Sequence, residues 1–162
     1  MEIWQKFIAW ERSNPLRIED QMLLNKRVMF AFEQCLLNLG HFPNIWQQAA
    51  SHLQECSRTL SEKGDVDNSK TINDQVVVLY EKAIANLHAK NLILYLAFAD
   101  FEEQQMRTQN AHEIYKKFLA QEDVDPTLVK QKNHPRKVQK KSNFFSIFDT
   151  VLHPLYAILS PK

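Results

Sequence analysis

Histidines, cysteines and paired carboxylates are the side chains of this sequence equipped for chemistry, and their spacing decides what they can do. Six histidines stand at positions 41, 52, 88, 112, 134 and 153. None belongs to an H-E-x-x-H motif and none follows a glutamate by three positions, so neither zinc-protease nor di-metal bundle chemistry is indicated. Cys35 and Cys56 each lie inside an apolar helical pattern and read as small core residues of a reducing compartment. Glu102 and Glu103 are neighbours on a helix, point in different directions and cannot face one substrate together. Asp125, ahead of Pro126 and Thr127, is read as a helix cap, beside the acidic pair Glu122 and Asp123. Two glycines, Gly40 and Gly64, cannot make a phosphate-cradling loop. No catalytic residue, cofactor site or metal site is predicted, and the chain is not expected to be an enzyme.

The elements that carry these residues are helical. The 162 residues fall within the size of one domain, and a hydrophobic share of 44% suits a folded core. Sheet-rich folds use glycine at many tight turns, so the scarcity of glycine points to helices. A formal net charge of +1 lacks the basic bias of a chain that holds nucleic acid through phosphates alone. Met1 leads straight into an amphipathic pattern with no signal-peptide character, which suits an intracellular protein.

Hydrophobic periodicity outlines six helices. The first covers Ile3 to Glu11 and stops at Asn14-Pro15. The second runs from an Asp20 cap to Leu39, with Gly40 expected in the left-handed C-terminal position. Pro43 opens the third, which ends before Gly64. The fourth is expected from about Ser69 to His88, the fifth from Leu92 to Met106 and the sixth from about Asn110 to Leu119. No run alternates long enough for a strand, and the local β-preference of Val76, Val77 and Val78 should yield to the helical pattern. The expectation is an all-α chain of antiparallel helix pairs.

These helices repeat. Trp4, Phe7, Ile8, Trp10 and Glu11 match Tyr95, Phe98, Ala99, Phe101 and Glu102 position by position. Trp46, Ala49, Ala50 and Leu53 keep the aromatic start and the small pair but lack the acid. Among the even-numbered helices, Phe32-Glu33-Gln34-Cys35-Leu36 aligns with Tyr80-Glu81-Lys82-Ala83-Ile84 and with Tyr115-Lys116-Lys117-Phe118-Leu119. The rings should fill the space between paired helices, and alanines such as Ala50, Ala83 and Ala99 should allow close approach. Recurrence of an acid at Glu11 and Glu102 predicts a repeat-stabilising hydrogen bond or ion pair. Fixed-period helix pairs indicate a solenoid.

These motifs resemble the HAT (half-a-TPR) repeat, and within that group the suppressor-of-forked family. The resemblance is carried by the start of the chain through Arg17, by Lys26 to Leu37 and by Glu122 to Val129, and covers roughly residues 1 to 129. It implies a TPR-like α-α superhelix and a nuclear scaffold in pre-mRNA cleavage and polyadenylation, with other 3′-end processing proteins as partners. Set against the family pattern, the chain starts inside the arch and leaves the pattern after about Val129. A truncated form with exposed repeat faces and some self-association is therefore expected.

Residues 1–129 are thus assigned to a helical-repeat domain of about three pairs, and residues 130–162 to a divergent tail. The tail carries a basic cluster, Lys130, Lys132, Arg136, Lys137, Lys140 and Lys141, which suits a solvated linker, a nuclear address or an RNA-backbone patch. Its apolar run from Phe144 to Leu159 is broken by Asp149, His153 and Pro154 and falls short of the ~20 residues a membrane-spanning helix needs. The alternative to a protein scaffold is an RNA-binding helical repeat, which a basic stripe joining Arg17, Lys26, Arg27 and Lys82 would support.

Overall fold

A computed structural model describes residues 1–86 and 90–120. All its regular structure is helical: α1 (Glu2–Arg12), α2 (Gln21–Leu39), α3 (Pro43–Glu62), α4 (Val66–Asn86), α5 (Leu92–Gln104) and α6 (Thr108–Leu119). The expected order and number of helices agree with these six, and the all-α class holds. The expected features beyond residue 120, including the tail and its basic cluster, lie outside the described residues. The chain divides into two compact units, one over Met1–Phe98 and a second that starts at Ala99.

In the first unit, cross-helix partners show the direction of each packing. Glu11, near the end of α1, meets Arg27 in the first turns of α2. Gln21 at the start of α2 reaches Cys56 near the end of α3, and Phe32 lies against His52. Ser57 and Ser69 bond across the α3–α4 turn, Oγ to Oγ at 2.9 Å. Neighbouring helices therefore run antiparallel, and α2 and α4 run the same way. Buried Val28, Phe32, Ala49, Ala50, Leu53, Ile72, Val76 and Ala83 form the core between them. Burial of that apolar surface, at roughly 25 cal/mol per Å², is what holds helices of ordinary propensity in place.

The helix ends follow local chemistry. Asp20 caps α2 by accepting from the amides of Met22 (2.8 Å) and Leu23 (3.3 Å). Pro43 occupies the first turn of α3, as its fixed φ favours. At the end of α3, Gly64 takes φ +83°, its amide donates to the Ser61 carbonyl, and the Asp65 amide donates to that of Leu60. This is the Schellman arrangement, and glycine enters its left-handed position without steric cost.

Gly40 departs from expectation. Its φ is −60°, in the right-handed region. The Phe42 amide closes a tight turn onto the Leu39 carbonyl, and the indole N–H of Trp46 donates to the Gly40 carbonyl at 2.7 Å. The tight turn thus ends α2 without a left-handed residue, and a side-chain donor from the next helix satisfies the Gly40 carbonyl. Helix α4 also begins three residues earlier than the pattern suggests. The Asp65 carboxylate accepts from the Asn68 amide (3.3 Å) and side chain (2.8 Å), which starts the helix at exposed Val66.

Candidate functional site

The repeated acid occupies a built position in both units. In the first, Glu11 is 6% exposed although carboxylates are rarely buried unpaired. Arg27 answers it with two nitrogens: Nε donates to Oε2 at 3.1 Å and Nη2 to Oε1 at 2.9 Å. Planar guanidinium and carboxylate match as a fork, which fixes the angle at which α2 crosses α1.

In the second unit Glu102 is fully buried. Its Oε2 accepts from the Asn110 side chain at 2.9 Å and lies 2.9 Å from Nε of Arg107. That Arg107 nitrogen is off the hydrogen-bond line, so this pairing is ionic, without the paired hydrogen bonds of Glu11. The Glu102 carbonyl also accepts from the Arg107 amide at 2.9 Å, while the Met106 amide donates to Glu103. Arg107 therefore closes the end of α5 with its backbone and neutralises Glu102 with its side chain. Its guanidinium lies 5.7 Å from the Phe101 ring centre, within cation–π range.

The neighbouring acids Glu102 and Glu103 both meet α6. Separated by about 100° around α5, they take different partners, Asn110 and the Tyr115 hydroxyl (3.3 Å). Burial raises the pKa of Glu103, and the Tyr115 bond opposes that shift. Burial and the adjacent Glu103 charge push the Tyr115 phenol up. Each acid is committed to helix packing.

The repeated aromatic positions divide by location. Phe32, Tyr80, Tyr95, Phe98, Phe101 and Tyr115 are buried, as are Ala50 and Ala83; Trp4 and Trp46 are half-buried. Tyr80 stacks on Phe98 with ring centres 5.2 Å apart. On α1 the counterparts of Phe98 and Phe101 are open: Phe7 is 37% and Trp10 is 50% exposed, beside Ile3 at 82%. Phe7 instead contacts Trp4 and Trp10 on either side along the same helix, with ring centres 6.3 and 6.4 Å away. Glu33 and Glu81 are exposed, and no described contact gives their recurrence a packing role.

Both cysteines are buried and free, and burial raises their thiol pKa values, which disfavours the reactive thiolate. Among the described residues no group of three or more His, Cys, Asp or Glu side chains is arranged to hold a metal, and no helix is long and apolar enough to cross a membrane. Sequence reasoning passed over Asn25, buried on α2, and the groove it lines. Its signal was a polar residue inside an apolar stripe, between Leu24 and Val28.

Helix pairs with recurring rings and a recurring acid define an all-α helical-repeat protein. The family model described as Suppressor of forked protein (Suf) matches residues 1–149, and this chain belongs to that family. It is similar to Protein suppressor of forked of Drosophila melanogaster, 37% identical over 161 residues, which covers 80% of this chain and 21% of that protein. Cleavage stimulation factor subunit 77 of Arabidopsis thaliana is 30% identical over 117 residues, covering 72% of this chain and 14% of the relative. The mRNA 3′-end-processing protein RNA14 of Cryptococcus neoformans is 28% identical over 112 residues, 69% and 9% of the two chains. The chain thus spans about a fifth or less of the length of these relatives.

Proposed function

We propose that this chain supplies part of a protein–protein interaction scaffold for pre-mRNA 3′-end cleavage and polyadenylation, acting in the nucleus. Family membership supports the process, since relatives carry cleavage-stimulation and 3′-end-processing names. One structural observation carries the scaffold reading. The recurring acids Glu11 and Glu102 are engaged in joining helices, while Ile3, Phe7 and Trp10 of α1 stay open. An open apolar surface of that kind suits the binding of other polypeptides.

The charge distribution favours protein over RNA as the partner. Arg27 is tied to Glu11, and Lys26 and Lys82 share their surface with Glu33 and Asp74, so these three basic residues are interspersed with acids. The boundary at residue 129 and the linker role of the following basic cluster stay part of this proposal.

A pull-down with tagged residues 1–162 from nuclear extract tests it. Nuclease-resistant recovery of cleavage and polyadenylation factors is the expected result. Recovery that nuclease abolishes would replace the scaffold by an RNA-binding role, and recovery of chaperones alone would remove both. Sedimentation of the purified chain tests self-association through the open α1 face.

A further inference from the structure

Helix α2 is apolar on two sides. Val28, Ala31, Phe32 and Cys35 are buried in the core, as the inner stripe of a surface helix requires. On the side turned to solvent stand Leu23, Lys26, Phe30, Glu33 and Leu37, all exposed and spaced alternately by three and four residues. At about 100° per residue that spacing keeps the five within roughly 80° of one another, in a single stripe about 21 Å long. Leu23, Phe30 and Leu37 are 49%, 58% and 79% exposed, where an outer helix face ordinarily carries polar side chains.

The stripe is symmetric about Phe30. Leu23 and Leu37 each lie seven residues from it, on opposite sides, and Lys26 and Glu33 lie four and three residues away. Read from either end the order is leucine, charge, phenylalanine, charge, leucine, and only the sign of the charge reverses. Laid antiparallel on a second copy with Phe30 on Phe30, each leucine meets a leucine and each lysine meets a glutamate. That is the condition for a closed two-fold interface, in which one patch is its own complement. A parallel copy would set Lys26 on Lys26 and Glu33 on Glu33, which repels.

Helix α4 extends the match. It runs the same way as α2 beside the groove that both line, with Asp74, Val78 and Lys82 exposed along it. Lys26 and Asp74 fall toward one end and Glu33 and Lys82 toward the other, so the four charges form a checkerboard. Among the described residues none of the four forms an ion pair. The two-fold axis that sets Lys26 on Glu33 also brings Asp74 of one copy toward Lys82 of the other. Turning the second copy so that its α4 lies on α2 opposes the charges as well, but it sets Leu23 on exposed Thr71. Only the antiparallel α2 pairing satisfies the leucines and the charges together.

We propose that the outer face of α2 is a self-association surface, on which two copies of this chain pair antiparallel across a two-fold axis at Phe30. Each copy covers Leu23, Phe30 and Leu37 of the other, and the Lys26–Glu33 contact, made twice, fixes the register. This surface is distinct from the open face of α1. It involves only this chain, so it goes beyond the scaffold reading and does not depend on it.

Sedimentation equilibrium of the full 162-residue chain over a range of concentrations tests the pairing, and a reversible dimer is expected. F30E should weaken that dimer at least about tenfold, because it brings like charges together at the axis. K26E and E33K should each weaken it about fivefold, and the double exchange K26E/E33K should restore it, which no role confined to one copy would produce. Under mild oxidation F30C should form a disulfide-linked dimer with itself, whereas L23C should do so only when mixed with L37C; the native cysteines are buried. A monomer at every concentration overturns the proposal, as does a dimer that F30E leaves unchanged or that only Phe7→Ala disrupts. If F30E fails to fold, the charge exchange and the cysteine pairs decide. Nuclear-extract proteins captured by a chain that sediments as a monomer, and lost with F30E, would give the face to another protein and overturn the proposal as well.

Discussion

Arg27 holds Glu11 through two guanidinium nitrogens, and the pair joins the end of α1 to the first turns of α2. Removing one member of a buried pair leaves the other uncompensated, a loss of roughly 3–5 kcal/mol when both are fully buried. Arg27 has a 36% exposed side chain and can recover some hydration. Glu11→Ala should therefore cost about 2–3 kcal/mol in urea denaturation. The joint replacement Glu11→Met with Arg27→Met should restore much of that loss, because neither charge is then stranded. A double-mutant cycle with no coupling would show that the pair does not join these helices.

The end of α5 carries a left-handed residue that is not glycine. Met106 takes φ +60° and is 87% exposed, so its side chain contributes little to offset the backbone strain. For an ordinary residue that conformation costs roughly 1–2 kcal/mol. Glycine removes the clash and keeps both amide bonds of the Schellman turn, although it gains freedom in the unfolded chain. Met106→Gly should raise stability by about 0.5–1 kcal/mol, visible as a higher melting temperature. A lower melting temperature would show that the Met106 side chain has a packing role.

Much of this architecture was legible in the sequence because it rests on local patterns. Apolar periodicity marked all six helices, and the matched acids Glu11 and Glu102 announced pairing before their partners were visible. Those partners were not legible, for a physical reason. Arg27 sits on another helix and Arg107 beyond a helix end, and only the packed chain brings each to its acid. Gly40 was misjudged because α2 ends in a right-handed tight turn closed by the Phe42 amide on the Leu39 carbonyl, which needs no left-handed residue. The stop at Asn14 was read from the sequence, whereas the left-handed Met106 was hidden because it is not glycine. Asn25 reads as an ordinary polar interruption until its burial shows that it lacks a partner.

His52 connects stability to pH. It lies against Phe32, and its Nε2 is buried without a hydrogen-bond partner. Burial, helped by the nearby Arg12 charge and opposed by Glu55, lowers its pKa to about 4 from an ordinary 6.5. Between those values the unfolded chain binds more protons than the folded one, so stability falls as pH drops from 6.5 towards 4. The His52 contribution is complete above 6.5 and is bounded at about 3 kcal/mol. His52→Leu should remove this part of the slope in denaturation curves taken across that range. An unchanged slope would mean that other groups govern acid sensitivity.

The same motif position should carry different energies in its two copies. Phe98 is 6% exposed and stacked on Tyr80, whereas its counterpart Phe7 is 37% exposed and touches only its own helix among the ring contacts described. Truncating a buried phenylalanine removes its transfer free energy and leaves a cavity, at about 3–5 kcal/mol. Truncating an open one loses part of the first term and creates no cavity, so about 1 kcal/mol is expected. Phe98→Ala should accordingly destabilise the isolated chain several times more than Phe7→Ala. If the open face of α1 is a contact surface, Phe7→Ala should instead weaken association, seen as loss of pull-down partners or of sedimenting oligomer with the fold intact. Equal destabilisation by the two substitutions would show that Phe7 is already packed in solution, and would remove α1 from the scaffold's contact surface.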